Sequence, residues 1–170
     1  SIEILKKRFR RARFIISHAP SIELKWIQSA VGGHRLRSEV EVVSDGVEKI
    51  FGRCDVIVAA SGTVTLQAAI HGVPMVIIYK VSPISFWLGR ALVRVPNIGL
   101  VNLVAGERLV PELVQHEASA ENIASALEHM LSDANQFIHL KQQLFALRDI
   151  LGGGGASDRV ADIALKMLNL

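Results

Sequence analysis

The sequence predicts an α/β fold in which a parallel sheet is flanked by helices. Short apolar runs alternate along the first half of the chain with segments whose apolar residues recur at helical spacing. Each run is continuously apolar, which is typical of parallel strands covered on both faces. Half of the 170 residues are hydrophobic, enough for one sizeable core. We therefore expect a single Rossmann-like domain over residues 1–170.

Strands and helices are predicted in strict alternation through residue 79. The predicted strands are Phe14 to Ser17, Val40 to Val43, Asp55 to Ala60 and Met75 to Tyr79. The predicted helices between them are Ile22 to Val31, Val47 to Phe51 and Thr63 to Gly72. Glycine-containing turn signals follow each of these helices, so the boundaries rest on two independent features.

The second half of the chain is predicted to be mainly helical. We expect an amphipathic segment over Pro83 to Val95, a last extended run over Ile98 to Val104, and only helices beyond about Leu109. One of these helices begins behind a Ser119 cap and the final one behind a Ser157 cap. The four glycines at 152–155 follow a helix and lack the Gly-Lys-Ser/Thr ending of a phosphate loop, which favours a flexible connection.

Composition excludes several classes of protein. The formal charge is +3, and the single Cys54 excludes an intrachain disulfide and fits a reducing compartment. No uninterrupted run reaches the roughly 18 apolar residues of a membrane span, and no signal peptide opens the sequence. The six histidines have no metal-ligand spacing. We expect neither a metal nor another cofactor, and no nucleic-acid partner.

The turn between the third predicted strand and its helix is the most informative segment. Ser61, Gly62 and Thr63 would place hydroxyls and unpaired helix N–H groups at the carboxyl end of a strand, where α/β sheets bind anionic ligands. Gln67 lies four residues after Thr63, on the same helix face and within reach of a neighbouring ribose. The alternative is that Ser61 only caps the helix and Gln67 is solvated.

Two basic segments suggest an anionic surface as partner. Residues 6–13 hold six cations in eight positions, which fits either phosphate or lipid contact or a solvated helix face. After the fourth strand, aromatic and cationic residues recur at helical spacing, a composition that fits either an interfacial segment or a capping helix with a buried aromatic face. The residues of this second segment are Lys80, Phe86, Trp87, Arg90 and Arg94.

A third cluster of polar residues follows the predicted last strand. Asn102 follows a strand, and Glu112 and Gln115 are three apart on a predicted helix face. Their donors and acceptors suit sugar hydroxyls. The alternative is a loop Asn making an Asx turn, with two exposed helix residues.

Five blocks, in order and over residues 55–115, resemble the lipid-A-disaccharide synthases. They are Ala-Ser-Gly-Thr-Val-Thr-Leu-Gln, Gly-Val-Pro-Met-Val-Ile-Ile-Tyr-Lys, Phe-Trp-Leu-Gly-Arg, Asn-Leu-Val-Ala-Gly and Pro-Glu-Leu-Val-Gln. The likeness extends more loosely through most of the chain and is to the carboxyl-terminal part of these enzymes. It implies the carboxyl-terminal half of a GT-B glycosyltransferase.

The resemblance implies an inverting, UDP-sugar-dependent hexosyltransferase. Such enzymes transfer 2,3-diacylglucosamine from UDP to an acylated glucosamine 1-phosphate, at the cytoplasmic side of the inner membrane in Gram-negative bacteria. It implies that the donor contacts are Ser61, Gly62, Thr63, Gln67, Asn102, Glu112 and Gln115. It also favours lipid contact for the segment around Phe86 and Trp87.

The resemblance also identifies differences from the family. The family usually has glutamate where this chain has Gln67, and Pro-Asn where it has Val101-Asn102. The family's catalytic base, in the acceptor domain, and a Gly-Ser-Arg phosphate loop both precede the matching part. We therefore expect an incomplete donor domain that is inactive alone. Another UDP-sugar transferase or 2-epimerase, or a noncatalytic module that pairs through an exposed sheet edge as a homodimer, stays open.

Overall fold

The computed structural model describes residues 1–18, 22–33, 39–44, 46–82, 85–86, 97–152 and 154–168. The strands are β1 Phe14–Ser17, β2 Val40–Val43, β3 Ile57–Ala60, β4 Met75–Tyr79 and β5 Glu112–Val114. The helices are α1 Ile2–Arg8, α2 Leu24–Gly32, α3 Val47–Phe51, α4 Thr63–Ile70, α5 Leu100–Ala105, α6 Ala120–Ser132, α7 Ala134–Leu151 and α8 Ala156–Met167. A 3₁₀ turn over Gln115–Glu117 follows β5.

All strand pairs are parallel, as the sequence predicts. β1 pairs with β2 in one sheet, and a second sheet has the order β3-β4-β5 with β4 in the centre. In the second sheet Ile57 is opposite Met75, and Ile77 is opposite Glu112. The carboxyl ends of β3, β4 and β5 therefore meet at one edge.

The central strand β4 is covered on both faces, which explains its continuous apolar run. Met75 and Ile77 belong to a core that contains Ala68 of α4 and Leu144 of α7. Val76, pointing the other way, packs in a second cluster formed by residues of α1 and α6. The result is a sheet between two helical layers, the predicted α/β architecture.

Glycine lets α4 and α7 approach closely. Gly72, after α4, has a φ of +65°, and a Cβ there would lie 3.3 Å from the carbonyl oxygen of Lys141. A larger residue would be strained by its backbone and crowded by α7. Gly72 thus allows the chain to turn from α4 into β4 directly beneath α7.

The predicted extended run over Ile98 to Val104 is wrong, because Leu100–Ala105 forms helix α5. Val101 is fully buried, and Val104 and Ala105 pack beside it on the same core, as helical spacing requires. Gly106 ends the helix in the left-handed conformation, with a φ of +74°. The apolar run therefore covers the sheet instead of extending it.

The prediction of helices alone beyond Leu109 is also wrong. Glu112–Val114 forms β5, which pairs with β4 and brings Glu112 into a strand instead of onto a helix face. The local pattern is too short to show this pairing, because a three-residue strand has no recognisable period. Residues 112–114 form a strand because the edge of β4 has backbone groups that need hydrogen-bond partners, and β5 supplies them.

The caps of the last helices differ in outcome. Ser119 caps α6 as predicted, its side chain accepting a hydrogen bond from the N–H of Asn122. The predicted Ser157 cap is wrong, since the N-cap of α8 is Gly155 and has no side-chain bond.

Of the predicted amphipathic segment Pro83 to Val95, only Ser85 and Phe86 lie within the described residues. No helix in the described segments is long and apolar enough to cross a membrane.

Candidate functional site

Three predicted site residues directly follow three neighbouring strands. Ser61 follows β3, Lys80 follows β4 and Gln115 follows β5. Because these strands are parallel and adjacent, all three residues lie at the carboxyl edge of the sheet, the usual ligand-binding edge of open α/β sheets. We take this edge, together with the start of α4, as the candidate site.

Ser61 is held on both sides. Its N–H donates to the carbonyl of Ile78 at 3.0 Å, and its hydroxyl donates to the carbonyl of Ile98 at 3.2 Å. The N-cap of α4 is Gly62, with no side-chain cap bond, so the alternative that Ser61 caps the helix is wrong. The Ser61 hydroxyl instead fixes the turn against the loop before α5.

Space is open in front of Gly62. Its φ of 160° is extended backbone, and a Cβ placed there would meet no atom of the described residues within 4 Å. The next residue, Thr63, is exposed and begins α4. Since the first N–H groups of a helix have no partner within the helix, the turn presents donors to this open space. Such an arrangement suits a phosphate oxygen.

Gln67 lies one helical turn beyond Thr63. It is half-buried, and among the described residues its side-chain amide has no hydrogen-bond partner. Its backbone carbonyl lies 2.8 Å from Nδ1 of His71. The amide is therefore available to a ligand beside the turn.

Glu112 is buried and is bonded to the loop before α5. It is 6% exposed, and its carboxylate accepts hydrogen bonds from Ile98 N at 2.8 Å, Gly99 N at 3.0 Å and Asn102 Nδ2 at 2.7 Å. These three donors compensate the desolvation of a charge that would otherwise be costly inside the protein. The carboxylate thereby fixes residues 97–99 beside the sheet edge.

Asn102 completes this internal network. Its amide is fully buried, donating to the carbonyl of Val110 at 2.9 Å and accepting from the Val110 N–H at 3.0 Å. With the third bond to Glu112, its hydrogen-bonding groups serve the fold. Asn102 lies in α5 and closes the connection from α5 to β5, so the prediction that it follows a strand is wrong.

Gly99 is a site residue that the sequence prediction missed. A Cβ on Gly99 would overlap the Cδ1 of Ile77 and would lie 3.0 Å from Glu112 Oε1. Only glycine lets the loop approach both the sheet and the carboxylate. A glycine inside an apolar run is a signal of such close backbone approach.

Gln115 adopts an unusual backbone conformation with a φ of 52°. Its Oε1 accepts from Val81 N at 2.9 Å, and its Nε2 donates to Val81 O at 3.0 Å. The prediction that Gln115 and Glu112 share a helix face is wrong. Gln115 starts the 3₁₀ turn that follows β5. Its amide binds the segment that leaves β4.

The predicted lipid-contact residues are only partly described. Lys80 is exposed and Phe86 is half-buried, with the Phe86 N–H donating to Ser82 O at 2.9 Å. Trp87, Arg90 and Arg94 lie outside the described residues. In the other basic segment Lys6 pairs with Glu39, and the remaining cations are exposed.

The thiol of Cys54 has an environment that disfavours reactivity. Burial raises the pKa of the Cys54 thiol above its ordinary value, the Arg53 guanidinium partly opposes this, and the Asp55 carboxylate adds to it. The thiol is therefore protonated at neutral pH and is a poor nucleophile.

Among the described residues, no three His, Cys, Asp or Glu side chains are grouped as metal ligands.

Comparisons with known proteins bear on the same residues. A family model described as lipid-A-disaccharide synthetase matches residues 1–155. The lipid-A-disaccharide synthase of Geobacter metallireducens is 44% identical over 170 residues, which cover 99% of this chain and 43% of that protein. That of Geobacter sulfurreducens is 43% identical over 168 residues, with the same coverage of 99% and 43%.

A third curated relative gives a similar result. The lipid-A-disaccharide synthase of Nitrosococcus oceani is 42% identical over 136 residues, covering 80% of this chain and 34% of that protein. The chain therefore spans less than half the length of the curated relatives it matches. The segments that build the candidate site all lie within the residues matched by the family model.

Proposed function

The chain belongs to the lipid-A-disaccharide synthetase family, and on that premise we propose that it forms the donor-binding part of a glycosyltransferase of lipid A biosynthesis. In the proposed reaction the donor is UDP-2,3-diacylglucosamine and the acceptor is an acylated glucosamine 1-phosphate. The acceptor 6-hydroxyl oxygen forms a bond to the sugar C1 as the bond from C1 to the diphosphate breaks. UDP leaves, the configuration at C1 inverts, and the hydroxyl proton passes to a base.

One observation carries the donor-binding role. Three adjacent parallel strands end at the same edge, each followed by a polar residue, with open space in front of Gly62. Helix N–H groups and the exposed Lys80 supply positive potential at this edge. A diphosphate fits this chemistry better than a neutral sugar does.

We assign two kinds of role to the predicted donor residues. Gly62 and Thr63 border the open space and contact phosphate or ribose, with Gln67 on the ribose hydroxyls. Ser61, Asn102 and Glu112 support the pocket. The side chains of Ser61 and Glu112 are bonded to the loop over residues 97–99, and that of Asn102 is bonded to Val110. This division follows from which side chains are already hydrogen-bonded within the protein, and, for Gly62, from the open space in front of its backbone.

We propose that the enzyme binds peripherally to the cytoplasmic face of the inner membrane. Phe86 follows the site residue Lys80 closely in the chain, so a lipid-bound segment here would bring acyl chains near the donor sugar. The proposed continuation of that surface is Trp87, Arg90 and Arg94. The exposed cations of residues 7–13 supply further positive charge.

Catalysis is proposed to need residues beyond these 170. The described site residues contain no base placed at the open space, and the relatives are more than twice as long as the matched part. We expect the chain alone to bind UDP weakly and to form no disaccharide. Disaccharide formation by the chain alone would contradict this expectation.

The test of donor binding is a nuclear magnetic resonance titration of the labelled chain with UDP. We expect shifts at Gly62, Thr63 and Gln67 with a dissociation constant on the order of 1 mM, and none in α8. ADP serves as the nucleotide control. Chemical-shift changes that are equal throughout the chain, or no changes at saturating UDP, would reject the donor role.

Activity is tested in a chimera. This chain replaces the matching 43% of the Geobacter metallireducens protein, so that the relative supplies the rest. We expect mass spectrometry to detect the acylated disaccharide and UDP. A Thr63→Ala chimera should lose activity, whereas Glu121→Gln, an exposed change on α6, should not. A folded but inactive chimera with intact UDP binding would count against the proposed reaction.

A further inference from the structure

Gln115 is the only non-glycine residue with a positive φ among the residues that the structure describes. For a residue with a Cβ, this conformation is strained. Such strain persists where surrounding interactions compensate for it. For Gln115, which lies at the candidate site, its own side chain makes those interactions.

The compensation is a pair of hydrogen bonds to one backbone unit. Gln115 Oε1 and Nε2 bond the N–H and the carbonyl of Val81 at 2.9 and 3.0 Å. The ladder between β4 and β5 ends one residue earlier, with Tyr79 opposite Val114. At Gln115 the backbone turns away from β4. Its side-chain amide then makes the hydrogen bonds to the segment that follows β4.

This geometry restricts Lys80 from both sides. On one side Tyr79 is fixed by the sheet, and on the other Val81 is fixed by the Gln115 amide. Lys80 itself is exposed and lies at the same edge as Ser61. A flexible lysine normally loses much conformational entropy on binding an anion, and a fixed backbone lowers that cost.

We propose that Gln115 is a positioning residue whose amide clamp on Val81 holds Lys80 for a phosphate group bound at this edge. The inference rests on the proposed donor-binding function and deepens it. The phosphate has two sources, the diphosphate of the nucleotide donor and the headgroup of an anionic lipid. Gln115 acts through Val81 and Lys80, without itself contacting the ligand.

Two variants separate the clamp from the backbone strain. Gln115→Gly removes the amide and also relieves the positive φ, so the fold should be retained. Gln115→Glu keeps an acceptor for the Val81 N–H but sets a carboxylate against the Val81 carbonyl, where a donor is needed. Both variants should speed hydrogen exchange at the Val81 amide. Gln136→Ala, an exposed change on α7, is the matched control.

The decisive measurement is a double-mutant cycle with Lys80→Ala. UDP affinity is measured by titration of the wild-type chain, Gln115→Gly, Lys80→Ala and the double variant. We expect each single change to weaken UDP binding about fivefold to tenfold, as loss of one or two hydrogen bonds would. The double variant should bind no more weakly than either single one, because Lys80 contributes only when it is held.

A second arm uses vesicles containing phosphatidylglycerol. Non-additivity with UDP identifies the donor diphosphate as the phosphate source, and non-additivity with vesicles alone identifies a lipid headgroup. The second outcome would reject the donor role of Lys80 and keep the clamp. Additive effects, or unchanged binding to both probes in Gln115→Gly despite faster Val81 exchange, would overturn the inference while wild-type UDP binding still supported the proposed function. Wild-type chain that binds neither probe would overturn both.

Discussion

The hydroxyl of Ser61 donates to the carbonyl of Ile98 at 3.2 Å, joining the turn after β3 to the loop before α5. From the opposite side Glu112 of β5 accepts hydrogen bonds from the N–H groups of Ile98 and Gly99. One short loop is thus held by residues that follow or belong to the two outer strands of the sheet. A change in the loop is therefore expected to reach both the Ser61 turn and β5.

Glu112→Gln should destabilise the chain although the side chains have nearly the same shape. The carboxylate accepts from three donors, and an amide would place an NH₂ group against at least one of them. A buried donor left unpaired costs about 1 to 3 kcal/mol of unfolding free energy. Urea denaturation of the chain measures this loss.

Glu107→Gln is the matched control for that experiment. Glu107 is exposed and close in sequence, so its replacement should change the unfolding free energy by less than about 0.5 kcal/mol. Equal stability of the two variants would show that the Glu112 network contributes little.

Gly99→Ala should also be destabilising, for a steric reason. The added Cβ would overlap Ile77 Cδ1, and Ile77 is 1% exposed in the packed core, so its side chain has little room to move. Overpacking of this kind costs about 1 to 3 kcal/mol of unfolding free energy. Gly52→Ala is the control, since Gly52 has a φ of −68° and no atom in the described part of the chain lies within 4 Å of the added carbon. Thermal unfolding of each variant measures the effect. Equal midpoint temperatures for the two variants would argue against the close approach at Gly99.

The first half of the fold could be predicted closely because its signals are local. Val40–Val43, Val47–Phe51 and Met75–Tyr79 have the predicted bounds. Each is an apolar run or a short helical repeat next to a glycine turn, features that a few neighbouring residues define. β5 could not be predicted in this way, because its pairing with β4 is a contact between distant segments.

The site was predicted as residue types but not as interactions. Ser61 is predicted at a strand end and Gln115 on a helix face, whereas their partners Ile98 and Val81 are backbone groups 37 and 34 residues away. Backbone partners leave no signature in side-chain chemistry. Gly99 was open to prediction, since a glycine within an apolar run indicates close approach.

Cys54 should react slowly with iodoacetamide at neutral pH. Its thiol has a raised pKa, so the fraction of thiolate is smaller than in an unstructured peptide. The alkylation rate should rise as the pH increases past the ordinary thiol pKa and should keep rising where a peptide thiol has levelled off. Mass spectrometry of the native and the urea-unfolded chain measures both rates. A native rate equal to the unfolded rate across this range would contradict the raised pKa.

Gln67→Glu should strengthen UDP binding. The amide of Gln67 has no partner among the described residues and lies one turn after Thr63, beside the proposed ribose position. A carboxylate accepts hydrogen bonds from two ribose hydroxyls, whereas the amide oxygen and NH₂ group cannot both accept. One added charge-assisted bond corresponds to a gain of roughly tenfold in affinity. Titration with 2′-deoxy-UDP supplies the control, since a ligand with one hydroxyl should show little of this gain. An equal gain for both nucleotides would place Gln67 away from the ribose, and a loss for both would indicate repulsion between the new carboxylate and the diphosphate.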